Sequence, residues 1–477
     1  MLQIPGEQIQ KSLQVENPWW DTGVVPPQQG GGSTPRPYLD LFLPLVLDRS
    51  TRRAVVLLGP RRVGKTWMIN HSIERLIAQG ADPKRLHYVL MEQPLYNRQS
   101  LESMLEHCHR ASGTNPLTDE CHVFFDEVQY VSEWEKQVKI LVDRGLPCKI
   151  IVSGSAAAAL RLKSVESGAG RMTDFMLPPL TFHEYLHLLE KRALIQIEER
   201  ENTVVYTVPD VGELNRQFVE YINFGGYPEV LFSEAIRRDP ARFIKKDIVD
   251  KVLLRDLPSL YGISDIQELN YLFTTLAYNT GQEISLQELS RNSGVVANTI
   301  RRYLEYLEAA FLIRIVHRVD RSARRFRRAN FFKVYLTNPS MRAALFAPVG
   351  ADDHAMGPLV ETAVFSQLFH SDIRHYYARW EGGEVDLIML SDDQRVQSAS
   401  EIKWSDRAID QTSDLRSLLS FAETHRLPQV LVTTRTRSAE KRIGERSVGF
   451  VHAAAYCFVL GRHFVEAKRL RVTSKGP

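Results

Sequence analysis

The chain has 477 residues, 44% hydrophobic and 25% charged, which fits a folded protein of about three domains and excludes a disordered or fibrous one. A net charge of only +3 excludes a polycation, so any affinity for nucleic acid must come from local patches. No apolar run approaches the roughly 20 residues of a membrane span, and MLQIPGEQIQ lacks the basic and apolar blocks of a signal peptide, so a cytoplasmic protein without a membrane partner is expected.

Residues 1–36 are rich in Gln, Pro and Gly and read as a flexible lead-in. Trp19 and Trp20 would either dock on the next domain by apolar burial or lie near a base pocket. From 37 to 208, apolar runs at 54–58, 86–91, 121–126 and 149–153 alternate with helical patterns at 67–79, 99–110 and 132–144. That alternation predicts a mostly parallel α/β sheet with helices on both faces. The four cysteines, Cys108, Cys121, Cys148 and Cys457, show no metal or redox spacing and read as buried or idle thiols in a reducing compartment.

The run 54–58 leads into GPRRVGKT, Gly59, Pro60, Arg61, Arg62, Val63, Gly64, Lys65 and Thr66, and then into a helix opening with Trp67. Strand, glycine loop and helix in that order are what a phosphate-binding loop needs. The glycines let backbone N–H groups turn inward. Lys65 supplies a charge for terminal phosphates, and the Thr66 hydroxyl can ligate magnesium. HVFFDE at 122–127 ends a second strand with Asp126, placed to hold that magnesium through water, and Glu127, placed to orient an attacking water. ATP and Mg2+ are the cofactors this pair predicts. KIIVSGS at 149–155 is a strand ending in hydroxyls, where Ser153 or Ser155 either senses a γ-phosphate or closes a turn. Arg161 and Arg171 flank a Gly-rich stretch. Either is a candidate arginine finger, in its own chain or in a neighbour in a homo-oligomeric ring, or else a solvated loop residue.

Residues 195–208 read as a polar excursion with strand character, and 209–340 as a helical and winged-helix region. FGGYPE at 224–229 marks a tight turn with close backbone approach. Ser285 and Glu288 have capping-box spacing, Ser293-Gly294 makes a turn, and a second helix starts near Asn298 or Thr299. Ile300, Tyr303, Leu304, Leu307 and Phe311 recur at helical spacing, leaving Arg301 and Arg302 off the apolar stripe. FLIRIVHRV at 311–319 would begin a wing. RVDRSARRFRRANFFK at 318–333 sets six arginines and a lysine against one aspartate, with phenylalanines interleaved. It reads as a DNA phosphate-backbone site, with Arg324, Arg325, Arg327 and Arg328 joining Arg301 and Arg302 as contacts.

The segment 341–477 carries a second constellation and a basic tail. A helix beginning near Pro358 presents Glu361 and is anchored by Val360, Val364 and Leu368. EVDLIML at 384–390 carries Asp386, and SASEIKW carries Glu401 and Lys403, which share a face because they are two apart. A hairpin would set Asp386 beside Glu401. Two carboxylates and a lysine suit magnesium-assisted phosphodiester cleavage, with Glu361 available for a second ion.

GPRRVGKT, FFDEVQYVSEWE, VSGS, PPLTFHEY, FGGYPE and the Thr299–Leu312 helix occur in the order seen in a widespread prokaryotic group. The chain, over roughly 40–435, resembles AAA-type ATPases related to archaeal and STAND-like ATPases, with a C-terminal domain similar to PD-(D/E)XK nucleases, including archaeal Holliday-junction resolvases. The resemblance implies an AAA-type core, a helical lid with winged helix, and an α/β nuclease-like domain. It implies ATP and magnesium at Lys65, Thr66, Asp126 and Glu127, and a nuclease-like site at Glu361, Asp386, Glu401 and Lys403. Asn338 stands where the group usually has aspartate, and the arginine run is denser than usual. The implied function is an ATP-driven enzyme acting on DNA, branched or duplex. A STAND-like switch that binds without cutting, or a defence effector, uses the same parts.

Overall fold

The computed structural model describes residues 5–155, 170–200, 203–239, 241–263, 265–324, 331–368 and 374–473. Two compact units are present: Met1–Pro178 with Val465–Pro477, and Pro179–Phe464. Among the described residues, no helix is long and apolar enough to cross a membrane.

The first unit is built on a five-stranded sheet of order β2-β3-β4-β1-β5. Its strands are β1 Ala54–Leu58, β2 Leu86–Leu90, β3 Cys121–Asp126, β4 Cys148–Gly154 and β5 Met172–Met176. All neighbours pair in parallel, as the alternating pattern predicts. Strands covered on both faces read as unbroken apolar runs, so β1 to β4 fall where the sequence places them. Strand β5 escaped notice because Thr173 and Asp174 break its run and it lies half-buried at the sheet edge.

The lead-in differs from expectation. Gly6–Glu16 is a helix that buries Ile9 and Leu13, and Trp19 and Trp20 are buried as well. The side chains that follow complete the free edge of β2. Both indole Nε1 groups donate to Leu86 O, at 2.9 and 2.8 Å. Asn17 Nδ2 donates to Tyr88 O and its Oδ1 accepts from Tyr88 N, at 2.8 and 2.6 Å. Leu90 N donates to Glu16 Oε2 at 3.0 Å. Four side chains thus stand in for a missing neighbouring strand, which an exposed edge otherwise invites from another chain. The Gly-rich stretch continues onto the helix Lys65–Ala78, where Asn70 donates to Gln29 O and Glu74 accepts from Gly32 N. Trp19 and Trp20 are therefore anchors on β2, with two strands between it and β1, and not part of a base pocket beside β1.

The second unit opens with the helix Phe182–Leu188 and then the antiparallel pair β6 Gln196–Arg200 and β7 Thr203–Thr207, the expected polar excursion. Its main sheet has nine strands, built from β8 Glu283–Ser285, β9 Ile313–Val319, β10 Phe331–Leu336, β11 Arg374–Trp380, β12 Gly383–Leu390, β13 Val396–Glu401, β14 Gln429–Thr434, β15 Ala439–Ile443 and β16 Arg446–His452. Their order is β15-β16-β14-β13-β12-β11-β9-β10-β8. The helix Ile266–Tyr278 precedes β8, and the helices Leu286–Ser293 and Ala297–Ala309 lie between β8 and β9. The cap Ser285 Oγ accepts from Glu288 N, and Gly294 closes the first of these two at φ +73°.

No break falls at 208 or 340. The first unit ends at Pro178, and β9 pairs in parallel with β11 through Arg318–Tyr377 and Val319–Ala378. That pairing makes one sheet of what the sequence divides into two domains. FGGYPE does bring its backbone close to its neighbours: Leu180 N donates to Gly226 O at 3.0 Å, and a Cβ on Gly226 would lie 2.5 Å from the Asn338 side-chain Oδ1.

Asn17→Ala removes both partners of Tyr88's backbone groups. Unfolding followed by urea denaturation is expected to show a loss of about 1–3 kcal/mol, the cost of a buried polar group left unpaired. A loss below about 0.3 kcal/mol would mean that water replaces Asn17 at that edge.

Candidate functional site

The loop after β1 is a cradle for phosphate. Gly59 packs so closely that a Cβ would lie 2.2 Å from Leu177 O. Arg62 and Gly64 both take positive φ, +132° and +93°, and Gly64 caps the helix Lys65–Ala78. The loop is fastened from outside by buried Arg36, whose Nη1 donates to Val63 O at 2.7 Å and Pro178 O at 2.9 Å. Lys65 is buried, its Nζ donating to Gly59 O and Pro60 O at 3.3 and 3.1 Å. Trp67, at the head of the helix, lies against Gly30 and is 46% exposed.

Asp126 ends β3 fully buried. Its Oδ2 accepts from Thr66 Oγ1 at 2.6 Å and from Tyr88 OH at 2.9 Å, and its Oδ1 accepts from Ser153 Oγ. Burial and then neighbouring Glu127 push its carboxyl upward. Glu127 follows at φ +58°, which turns its Oε1 to 4.0 Å from Lys65 Nζ while Gln129 donates to Oε2. A tight backbone cradle, a buried lysine and paired hydroxyl and carboxylate oxygens fit a nucleotide phosphate with magnesium. Lys65, Thr66, Asp126 and Glu127 are thus brought together. Ser153 braces Asp126 directly. Arg171 lies elsewhere in its own chain. Its carbonyl accepts from Ala54 N at the start of β1, a strand length of roughly 17 Å from the loop at about 3.3 Å per residue, and its guanidinium pairs with Asp143 at 2.9 Å. The parallel register of β5 on β1 places it at the end of the sheet opposite the loop, the wrong end to reach a phosphate in cis. Arg161 lies outside the described residues.

In the second unit, the helix Met356–Gln367 supplies Glu361, and Val360, Val364 and Leu368 are buried as expected. The antiparallel pair β12–β13 carries Asp386 and Glu401, with Leu387 opposite Ser400. Ile402 N and Lys403 Nζ donate to Asp386 Oδ2 at 2.9 and 3.3 Å, and Lys403 Nζ lies 2.7 Å from Glu401 Oε1. Burial and then Asp386 raise Glu401 to about 8, while Glu401 Oε2 is buried without a partner. Glu361 is held differently. Lys333 Nζ lies 2.9 Å from Glu361 Oε1, 2.9 Å from Glu384 Oε1 and 3.8 Å from Asp386 Oδ1, and Tyr335 OH also donates to Glu361. Burial opposes the Lys333 charge, but Glu361, Asp386 and Glu384 outweigh it and raise its pKa.

The donor set Asp386 and Glu401, with its orphaned oxygen, fits one hard divalent cation. Glu361 is held at one oxygen, where the Lys333 ammonium and the Tyr335 phenol both donate to Oε1. Among the described residues, no three carboxylates gather closely enough to share one ion. Lys333 is also the residue the sequence misassigned. It closes the arginine-rich run, yet it is 4% exposed and faces the acids. Arg318 of the same run pairs with Glu283 at 3.8 Å. Arg301, Arg302 and Arg324 are exposed, whereas Arg325, Arg327 and Arg328 lie outside the described residues.

Residues 51–186 match the family model described as "AAA domain", and residues 215–353 match a domain of unknown function, DUF8612. Residues 51–186 form an AAA-type P-loop domain. The second match runs across position 340, as the sheet does. An uncharacterized protein of Methanocaldococcus jannaschii is 25% identical over 72% of this chain and 73% of its own length. One of Haemophilus influenzae is 23% identical over 82% and 91%. The Aeropyrum pernix ORC1 protein, solved in complex with DNA, aligns at TM-score 0.29 and 13% identity over 64% of this chain and 89% of that one. AMPPCP-bound DnaA from Aquifex aeolicus aligns at 0.28 and 14% over 57% and 86%.

Tyr88 and Gln129 of the AAA domain, Arg36 ahead of it, and Lys333 and Glu384 of the second site carry no motif that sequence reading could isolate. For Lys333 the only signal is its alternation with Tyr335 on a strand opposite an acid-bearing helix. Lys333→Met leaves three carboxylates facing one another and is expected to destabilise the protein by about 3–5 kcal/mol in chemical denaturation. Exposed Arg324→Ala should stay within about 0.5 kcal/mol. Equal, small effects would return Lys333 to the surface run.

Proposed function

We propose that this chain is an ATP-dependent DNA-processing protein whose second unit carries a phosphodiester-cleaving site. The observation that carries the reading is the convergence of Asp386, Glu401 and Lys403, drawn from β12, β13 and the residues just after it, with one carboxylate oxygen of Glu401 left unpaired. In the AAA domain, the Gly59–Thr66 backbone and Lys65 bind the phosphates of ATP, and Thr66 and Asp126 hold magnesium. Glu127 orients water and takes its proton, with Gln129 fixing the carboxylate's direction. In the second unit, Asp386 and Glu401 hold a divalent cation that polarises the scissile phosphate when bound. Lys403 stabilises charge as the phosphate expands. Arg301, Arg302 and Arg324, on the helix and turn of a winged-helix arrangement, grip the DNA backbone. Branched DNA is the proposed substrate, by resemblance to junction resolvases.

The switch reading, in which the second unit binds DNA or a partner without cutting, is favoured by one feature. Lys333 pairs with Glu361 and Glu384 and lies 3.8 Å from Asp386, its ammonium standing where a second ion would otherwise sit.

For the AAA domain, Lys65→Ala is expected to abolish ATP turnover, and Glu127→Gln to retain ATP binding while lowering turnover by about 100-fold or more. Turnover in Glu127→Gln at the wild-type rate would remove Glu127 from catalysis. For the second site, incubation with magnesium or manganese on linear, forked and four-way DNA, with and without ATP, should yield cleavage. Asp386→Ala, Glu401→Ala and Lys403→Ala should each lose it while keeping ATP turnover. If no DNA form is cut with either metal, the cleaving site fails and the switch reading stands in its place.

A further inference from the structure

The base of the AAA-domain sheet holds a second group of chemically matched side chains that the nucleotide site does not use. Strand periodicity gathers it. His87 on β2 lies opposite Val123 on β3, and Cys121 is two residues before Val123, so both side chains share one face. Cys121 in turn pairs with Cys148 on β4. The helix Leu101–Ser112 supplies His109, whose ring meets that of His87 edge-on at 5.1 Å between centroids.

Three observations mark this group as a site. His87, His109 and Cys121 are 0%, 3% and 1% exposed, and one donor atom from each lies within 4.8 Å of the other two. Both ring nitrogens of His87 and Nε2 of His109 have no hydrogen-bond partner, although buried imidazoles normally find one. His109 Nδ1 is meanwhile fixed 2.8 Å from Thr114 Oγ1, which leaves Nε2 as the nitrogen turned inward. A hydroxyl on the outer nitrogen is the kind of support that orients a metal-bound histidine.

We propose that His87, His109 and Cys121 bind a structural zinc ion, with Cys148 the nearest further donor. Mixed imidazole and thiolate donors in a water-poor setting select zinc over magnesium or calcium, which prefer oxygen. Zinc holds N donors at about 2.0–2.1 Å and S donors at about 2.3 Å, so its donors lie roughly 3.3–3.8 Å apart, a small contraction from the present spacing. The ion would tie β2, β3 and the helix Leu101–Ser112 together at the end of the sheet away from the phosphate loop. Linear spacing hides it: the donors sit at 87, 109 and 121 and meet only because two neighbouring strands and a covering helix bring them to one face.

The test uses the full chain without an affinity tag, produced with zinc in the medium, dialysed, and assayed by elemental mass spectrometry. About one zinc per chain is expected, falling below about a tenth in His87→Gln and in Cys121→Ser. Should either variant fail to fold, the wild-type protein reconstituted with cobalt decides the matter. A thiolate-to-cobalt charge-transfer band with the visible bands of a tetrahedral centre is expected. Zinc-free wild-type protein that also gives no cobalt spectrum overturns the proposal, as does zinc retained at full occupancy in both variants.

Discussion

A buried carboxylate is expensive unless the fold surrounds it with donors, and the AAA domain is arranged around one such group. Asp126 ends a strand with no exposure at all. Each neighbouring element contributes one hydroxyl to it: Thr66 from the helix after the phosphate loop, Tyr88 from β2 and Ser153 from β4. Hydroxyls satisfy the oxygens without cancelling the charge. The order β2-β3-β4-β1 is what makes this possible, because β4 between β3 and β1 brings Ser153 beside Asp126 while keeping the loop within reach. The N-terminal helix acts on the same network from further out. It completes the edge of β2, the strand from which Tyr88 reaches in.

The second unit meets the same problem with ammonium groups. Lys333 serves Glu361 and Glu384, and Lys403 serves Asp386 and Glu401. Arg379 adds a third cation, 3.5 Å from Glu384, while burial and Asp386 raise Glu401 to about 8 and its second oxygen is buried without a partner. The two halves of the cluster therefore differ in kind. The Lys333 half is closed by internal pairing. The Lys403 half has a more exposed lysine, 40% against 4%, and an oxygen still seeking a partner.

Much of this was legible in the sequence, and the exceptions have physical reasons. Strands β1 to β4 are built around short apolar runs, and the Asp386–Glu401 hairpin follows from two strands and a short turn. Strand β5 was not legible because an edge strand alternates and MTDFM resembles a loop. The lead-in misled because Gln, Pro and Gly suggest freedom, while four polar and aromatic side chains on it have backbone partners that only the fold reveals. The sheet spanning position 340 was hidden as well. A parallel contact between β9 and β11 involves few residue pairs and leaves no local pattern.

Lys333 shows most directly why charge density along a chain is a poor guide to direction. Phe331, Lys333 and Tyr335 lie two apart on β10 and share one face, so exposure changes along that face, from the strand's start inward. Phe331 is exposed, with the Arg318 guanidinium 5.7 Å from its ring centroid. Lys333 and Tyr335 are buried, and both reach Glu361. The same five-residue stretch thus contributes to a basic outer surface and to the neutralisation of an acidic interior. A strand shared in this way gives the surface and the acidic cluster a common rigid support. Displacing β10 along its axis would move Lys333 away from Glu361 and leave buried carboxylates unpaired. The basic surface is held in register with the acidic site by the electrostatic cost of letting it slip.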